Sequence, residues 1–443
     1  MRRVLALAAL LAFLPTANAQ DKAKADFSAN AEYRARYWLM QNPLANKDAL
    51  STNSMVDHRF KLGTAFRANE KFTANMTLLH DDIWGQGDGE PLGERDHATG
   101  GTESNFLAVN EAYASWMFSE DMNFKFGRQN YQISDGYVMA TNDWEQQPFA
   151  FDGVVGSWDA EFGRFQLFAF KYRELTGVSA SGNPEHNAYG LNFDLKTNPE
   201  WLKALNVHVI KDNADAVEGA TGADVESLSG QDMLRYGAHA GFHFGMLDLH
   251  AWYAANNGKY KQIAAGGAKN EIDGKGMMYM AELGFNFENF MASRLHVRYH
   301  ASSGDKDATD GEEGTYDPYF NERHNAAGMM DLYNWGNLTY TQVGFTMKPG
   351  DKTTVGLQYS MFALTENTAG VNAGRFGAGL GSGSGSSDKL GDEIDLWAEH
   401  AYDGGLSTVL RLGHFMPGDR YDNTTSNQGD AITQLMVEGK LNF

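Results

Sequence analysis

The sequence predicts an all-β fold: a transmembrane antiparallel barrel of about 18 strands, with short periplasmic turns and long extracellular loops. Three observations point to it. The chain ends in an alternating strand whose outward set, Leu435, Val437, Gly439 and Leu441, finishes on the terminal aromatic Phe443. It begins with Met1-Arg2-Arg3, an apolar run from Val4 to Leu14 and an Ala17-Asn18-Ala19 site before Gln20, the pattern of a cleaved secretory signal. Between the ends, amphipathic runs of period two are joined alternately by tight turns and long polar loops, which is how a barrel with two unlike rims is built.

Composition agrees. The Val4–Leu14 run is well short of the roughly 20 residues a spanning helix needs, and no later segment approaches that length, so any crossing falls to strands. A secreted chain with no cysteine must hold itself together by a closed hydrogen-bond network or a large core. Glycine and aromatics are abundant while proline is scarce, as expected when half of each strand faces water. No linker or solenoid repeat divides the chain. The expected organisation is a signal over 1–19 and one barrel domain over 20–443.

In order, the first strand is 27–40, with Glu32, Arg34 and Arg36 on its inward face. Strand 55–67 turns Phe60, Leu62 and Phe66 to lipid and Asp57, Arg59, Lys61 and Arg67 inward. Ala68-Asn69-Glu70 turns tightly into 70–80, and a long loop, 81–104, follows. Strands 105–118, with Glu111, and 121–130, with Lys125, meet at Ser119-Glu120-Asp121. After loop 131–147, strands 148–158 and 162–172, with Arg164, meet at Asp159-Ala160-Glu161. After loop 173–185, strands 186–195 and 202–210 flank a short helical turn at Asn198–Lys203. Loop 211–232 leads to 233–244, with Arg235, His239 and His243, then Gly245-Met246, then 247–256, with Asp248 and His250. Loop 257–276 precedes 277–287, the turn Glu288-Asn289-Phe290, and 291–301. That last strand shows Leu295, Val297 and Tyr299 to lipid and Arg294, His296, Arg298 and His300 to the lumen. Loop 302–336 leads to 337–347, the turn Lys348-Pro349-Gly350-Asp351, and 352–362. Loop 363–390 leads to 391–400, with Asp395 and Glu399. Asp403-Gly404-Gly405 then turns into 405–415, with Arg411, and strand 430–443, with Glu438 and Lys440, closes the barrel.

The formal net charge is −21, but sorting by strand face sends the acids to the loops, for example Asp305, Asp307, Asp310, Glu312, Glu313 and Asp317. The lumen is therefore expected to be net basic, a ring that concentrates anions. The alternative is that inward arginines and acids pair and brace the wall. The acidic stretch from Asp305 to Glu313 lacks the third acid of a calcium loop and reads as solvated, so no metal is expected. Nor is a cofactor: the glycine-rich 377–387 has no following Lys-Ser or Lys-Thr to cradle phosphate. No G-x-S-x-G turn is present, so no enzyme is expected, and no nucleic-acid partner; the alternatives to an anion channel are a general diffusion porin, an outer-membrane receptor or adhesin using the acidic loops, or a barrel enzyme. Trp38, Trp116, Trp144 and Trp158, near strand ends, read as interfacial girdle residues.

Phe126-Gly127-Arg128-Gln129, then Asp143-Trp144, then Phe149-Ala150-Phe151-Asp152-Gly153-Val154, resemble the strand–loop–strand signature of the alginate-export outer-membrane porins. Tyr299-His300-Ala301-Ser302-Ser303-Gly304-Asp305 with His324, Gly328 and Asp331-Leu332 is similar to that family's long loop, and Gly391–Leu396 and Gly413–Gly418 to its last strands. The resemblance covers roughly residues 30 to 443. It implies an 18-stranded monomeric barrel, in contact with outer-membrane lipid and assembled by the barrel-assembly machinery, whose arginine-lined lumen passes an anionic solute or polysaccharide. Arg128 matches the family's Gly-Arg-Gln and Asp152 its Phe-Asp. Tyr137 stands nearest the place of a second arginine, a departure that bears on polyuronate selectivity. The expected solute-lining set is Arg34, Arg36, Arg59, Lys61, Lys125, Arg128, Arg235, Arg294, His296, Arg298, His300, Asp395 and Arg411. Gly127, Gln129, Asp143, Trp144 and Asp152 form the structural motif. By parity Arg128 follows outward Phe126, so bracing by Asp143 or Asp152 competes with pore lining there.

Overall fold

Two-residue alternation lets a closed sheet show one face to hydrocarbon and the other to its own interior. In the computed structural model every run of that kind is a strand. The structure describes residues 25–47, 51–84, 107–173, 185–196, 199–214, 230–263, 269–307, 309–324, 327–376, 380–422 and 429–443; the predicted signal lies outside them. The strands are β1 (Asp26–Gln41), β2 (Thr52–Arg67), β3 (Phe72–Ile83), β4 (Ala108–Met117), β5 (Met122–Gln129), β6 (Phe151–Asp159), β7 (Gly163–Arg173), β8 (His186–Leu195), β9 (Leu202–Ala214), β10 (Gly230–Phe244), β11 (Leu247–Ile263), β12 (Lys269–Phe287), β13 (Ser293–Ser302), β14 (Glu312–Glu313), β15 (Leu338–Gly350), β16 (Thr353–Leu364), β17 (Lys389–Ala401), β18 (Leu406–Pro417) and β19 (Ile432–Asn442).

All but β14 form the barrel, each antiparallel to its neighbours. β1 closes on β19, with Glu32 opposite Asn442 and Gln41 opposite Thr433. Closure removes the unpaired edges that hydrocarbon would not tolerate. β14, two residues long, lies parallel to β12 at Asp273 and Gly274. The helical turn expected near 198–203 is a single turn, in which Leu202 N–H donates to Pro199 O at 2.9 Å. The wall is tallest at β11 and β12, of 17 and 19 residues, and lowest at β5 and β6, of 8 and 9.

The outer face carries two aromatic belts. Toward the long-loop rim it exposes Tyr33, Tyr37, Tyr189, Tyr236, Tyr253, Tyr279, Tyr299 and Tyr359; toward the short-turn rim it exposes Phe27, Phe72, Trp116, Trp158, Trp201 and Phe244. Leu283, Leu295, Val297, Leu396 and Leu412 lie between, an apolar band flanked by girdles as in outer-membrane barrels. Trp116 and Trp158 thus sit in a girdle. Trp38 and Trp144 do not: Trp38 is buried on the inner wall, sharing the parity of Arg34 and Arg36, and Trp144 is inside the lumen.

Three long loops turn inward, through their described residues 130–150, 303–307, 309–324, 327–337, 365–376 and 380–388, knit together by backbone. Met139 bridges Phe320 and Tyr333 bridges Ala373. Ala140 N–H donates to Phe320 O at 2.8 Å, and Gly374 N–H to Leu332 O at 3.0 Å. Their apolar residues, Ile133, Met139, Met330, Leu332, Tyr333 and Trp335, pack against Phe168, Phe170, Met280, Tyr340, Phe362 and Phe415 of the wall. The barrel therefore contains a hydrophobic core of its own, which two-residue periodicity does not announce.

Candidate functional site

Most of the inward cations are where strand parity puts them, and most are already occupied. Arg34 and Arg36 of β1 and Arg59 of β2 form a ladder that grips loop segment 143–146. Arg34 donates to the carbonyls of Asp143, Trp144 and Glu145, each at 3.0 Å, and Arg36 to Trp144 O at 2.8 Å. Arg59 donates to Asp143 O and Glu145 O, both at 2.8 Å, and pairs with Glu32 at 2.6 Å. Lys61 pairs with the Asp143 carboxylate. Burial opposes charge on Asp143, but Arg59 and Lys61 outweigh it and hold the carboxyl below its ordinary range. Arg36 also shares Asp57 with Arg375 of the third inward loop, at 3.0 and 3.2 Å.

The remaining residues of the expected set are likewise paired or packed. Arg235 lies between Asp212 at 3.2 Å and Asp317 at 2.7 Å. Arg294 meets Asp248 at 2.5 Å and Glu282 at 2.7 Å, and Arg298 meets Glu282 at 2.6 Å. His296 contacts Gln342 at 3.4 Å. His300 is fully buried, stacked between Trp335 and Tyr340. Lys125 sits 5.0 Å over the Tyr113 ring. Asp395 accepts from Gln358 at 3.0 Å. Glu282 and Glu393 are inward acids whose parity is readable in the expected strands, and Asp212, expected in loop 211–232, faces inward because β9 runs on to Ala214. With the loop acids Asp143, Glu145 and Asp317 they replace the net basic lumen with matched charge.

Arg128 is the one cation of the set that leaves the lumen. Its side chain shares the outer face with Phe126 and meets Asp152 at 3.1 Å and Val109 O at 3.1 Å, as the parity argument anticipated. Gly127 beside it has φ +121°, and a Cβ there would lie 2.3 Å from Ala112 O, so glycine is required. Gln129 turns inward and donates to Gly153 O at 3.3 Å. Tyr137 packs against Trp252 and Trp335, a core role.

The gripped loop delivers Trp144 to the lumen beside Arg36 and Trp38 of β1 and Arg411 of β18. Its ring stacks on His324 at 3.6 Å, with Arg411 4.4 Å and Arg36 4.9 Å from its centre. His324 contacts Arg411 and pairs with Asp331 at 2.8 Å; burial, reinforced by Arg411, holds the imidazole well below its ordinary pKa and therefore neutral. Below this cluster opens a cavity of about 660 Å³. Its charged lining is Arg34, Lys348, Lys352, Arg411 and Lys440 against Asp143, Glu322, Asp351, Glu399 and Glu438.

Glu322 makes this cavity pH-sensitive. Burial first, then the neighbouring charges of Glu145, Asp331 and Asp143, push its carboxyl from the ordinary 4.5 up to about 7. Because the folded pKa is the higher one, stability from this group is complete below about pH 4.5 and declines as pH rises to about 7. Ionisation over the upper part of that window adds one negative charge opposite Arg34 and Arg411. Cation preference is therefore expected to rise between pH 6 and 8, and Glu322→Gln to abolish the rise. Reversal potentials at the two pH values check this, and an identical shift in the variant would exclude Glu322 as its source.

No curated protein matches the chain. Among solved structures it is similar to OccAB1 of Acinetobacter baumannii, with 12% identity over 96% of this chain and 99% of that one and a TM-score of 0.59. It is also similar to the outer membrane protein OprD of Pseudomonas aeruginosa, at 12% over 96% and 97% with a TM-score of 0.57, and to OccK8 (OprE) of the same organism, at 13% over 94% and 98% with a TM-score of 0.57. At these identities the likeness is one of fold, the closed barrel described above. The chain matches the Alginate export family over residues 26–434, nearly its whole length, and with the loop-filled outer-membrane barrel it belongs to that family.

Proposed function

We propose that this outer-membrane channel passes small hydrophilic solutes passively and with weak charge preference. The observation that carries the reading is the near balance of charge around the 660 Å³ cavity, five cations against four acids and Glu322, whose carboxyl ionises only as pH passes about 7. Such a wall attracts dipolar solutes and water without concentrating either ion sign. A barrel hydrolase is less well supported: Ser134 meets His239 at 3.0 Å, but the adjoining cavity is only about 10 Å³, too small for a substrate. In this reading the chain works as a monomer with both termini periplasmic, loses residues 1–19 on export, and offers exposed Phe443 to the barrel-assembly machinery.

A second reading, an anionic-polysaccharide conduit, is favoured by the family and by Arg34, Arg411 and Lys440 facing one cavity. Reversal potential under a salt gradient, with oligouronate then added, separates the two. Weak selectivity without block is expected; strong anion selectivity with block by the sugar would favour the conduit.

Replacing Arg294 and Arg298 together by Ser tests how far the charges are matched. Glu282 is buried, and it and Asp248 would lose their partners. Breaking a buried pair costs about 3–5 kcal/mol. The expected result is earlier thermal loss of the folded band on unheated gels together with a shift toward cations. Unchanged melting would mean that the two arginines are not bracing the wall.

A further inference from the structure

The inward loops do not fill the barrel evenly. Among the described residues, the interior core receives buried apolar side chains from β1, β6–β9, β11, β12 and β15–β19. The one run of adjacent strands that contributes none is β2–β5, whose long-loop half is covered instead by polar contacts with loop segment 143–148: Arg59 to Asp143 O, Gln147 to Asp81 and Asn110 to Pro148 O. Against it lies a second cavity of about 270 Å³, lined by Lys61, Thr77, Asn110, Glu111 and Asn130 and reaching Phe443 at the short-turn end. It adjoins the larger cavity along the β1–β19 seam, because Arg34 opposite Lys440 and Glu32 opposite Asn442 are successive inward pairs.

Its chemistry is that of a hydrogen-bond acceptor. The Oδ1 atoms of Asn110 and Asn130 are buried and accept from nothing in the protein, and Asn110 as a whole is only 5% exposed. Asn110 Nδ2 is spent on Pro148 O. Glu111 accepts from Thr77 Oγ1 and from Asn130 N–H, both at 3.1 Å. Lys61 is committed to Asp143. A buried acceptor without a donor is costly, so these oxygens are satisfied by what passes. Hydroxyl groups fit, because each brings a proton to donate.

We propose that the short-turn half of the conduit is an off-axis lane along the inner face of β2–β5, beneath loop segment 143–148, and that it takes single polyhydroxylated molecules such as a monosaccharide or polyol. At ~30 Å³ per water, the smaller cavity holds the volume of about nine waters, enough for one sugar ring and not for a folded length of chain. The proposal rests on the channel reading above and names its route and solute class.

The chain has no cysteine, so single cysteines report accessibility on a silent background. Thr77→Cys and Asn130→Cys place a thiol in the lane. Ser360→Cys, at a fully buried position on β16 in the packed sector, is the control, and migration on unheated gels establishes folding of each. In planar bilayers a charged methanethiosulfonate reagent is expected to remove most of the current of the two lane variants and to leave Ser360→Cys and the parent unchanged. Swelling of liposomes holding the parent is expected in a monosaccharide and absent in its octamer, and modification of Thr77→Cys should abolish it. Block at Ser360→Cys alone, or conducting variants that no reagent blocks, would overturn the lane while leaving the channel intact; equal swelling in monomer and octamer would overturn the solute class. A parent without conductance would overturn the channel reading and the lane with it.

Discussion

Asp57→Ala is expected to loosen the third inward loop and raise single-channel conductance. Asp57 is 1% exposed and Arg36 is fully buried. The carboxylate accepts from Arg36, from Arg375 at 3.2 Å and from Trp38 Nε1 at 3.0 Å. Removing it takes away the carboxylate that Arg36 pairs with and one of the two that Arg375 pairs with, leaving Arg375 only Glu145 at 3.4 Å. Losing one partner of a buried ion pair costs about 3–5 kcal/mol. The barrel wall keeps its ladder, so the free energy comes out of loop attachment. Arg375 sits on loop 365–388, which becomes the segment to detach. Limited trypsin digestion should then cut at Arg375 in the variant and not in the parent, and conductance should rise. Unaltered conductance and an intact loop would mean that the Arg36–Asp57–Arg375 triple is not what holds it.

Trp144→Ala is expected to open the head of the 660 Å³ cavity. The indole covers His324 on one face and lies against two guanidiniums, contacts worth about 0.5–2 kcal/mol each. Cutting a large aromatic back to Ala in a packed setting costs about 3–5 kcal/mol. The gripping hydrogen bonds from Arg34, Arg36 and Arg59 go to backbone carbonyls and survive the substitution, so the loop stays in place while its plug is removed. Conductance should rise without the protease sensitivity of Asp57→Ala. A variant that conducts like the parent would show that the Trp144–His324 stack does not restrict flow. The two substitutions thus separate loop attachment from side-chain obstruction.

The inward residues were legible because facing depends only on counting by two. Arg34, Arg36, Arg59, Arg235, Arg294 and Arg298 all lie inside as their positions along each strand require. The same count puts Arg128 outside with Phe126, and the structure pairs it there with Asp152. Nearness to a strand end suggests a girdle place for Trp38, but its parity with Arg36 turns it inward, as the same count turns Glu282. Asp212 is not readable in this way, because β9 continues four residues past the expected end. The partners of Arg34 could not be read at all. They are carbonyl oxygens of residues 143–145 and the side-chain oxygen of Gln146, brought close by a loop whose path no local pattern encodes.

Alternation along the chain is enough to specify the closed sheet, its strands, the lipid-facing band and the side of the wall on which each strand charge stands, since backbone geometry converts alternation into facing. The character of the lumen follows instead from how the loops pack. The described parts of the three inward loops could have stayed outside as solvated extensions. Their apolar residues, Met330, Leu332, Tyr333 and Trp335, are instead buried against the inner wall, and that burial carries Asp143, Trp144 and Arg375 to the arginine ladder. The ladder is thereby neutralised and polar space is left in the two cavities that adjoin along the β1–β19 seam. That outcome depends on long-range contacts between a loop and a wall, where the physics is burial and charge pairing rather than periodicity.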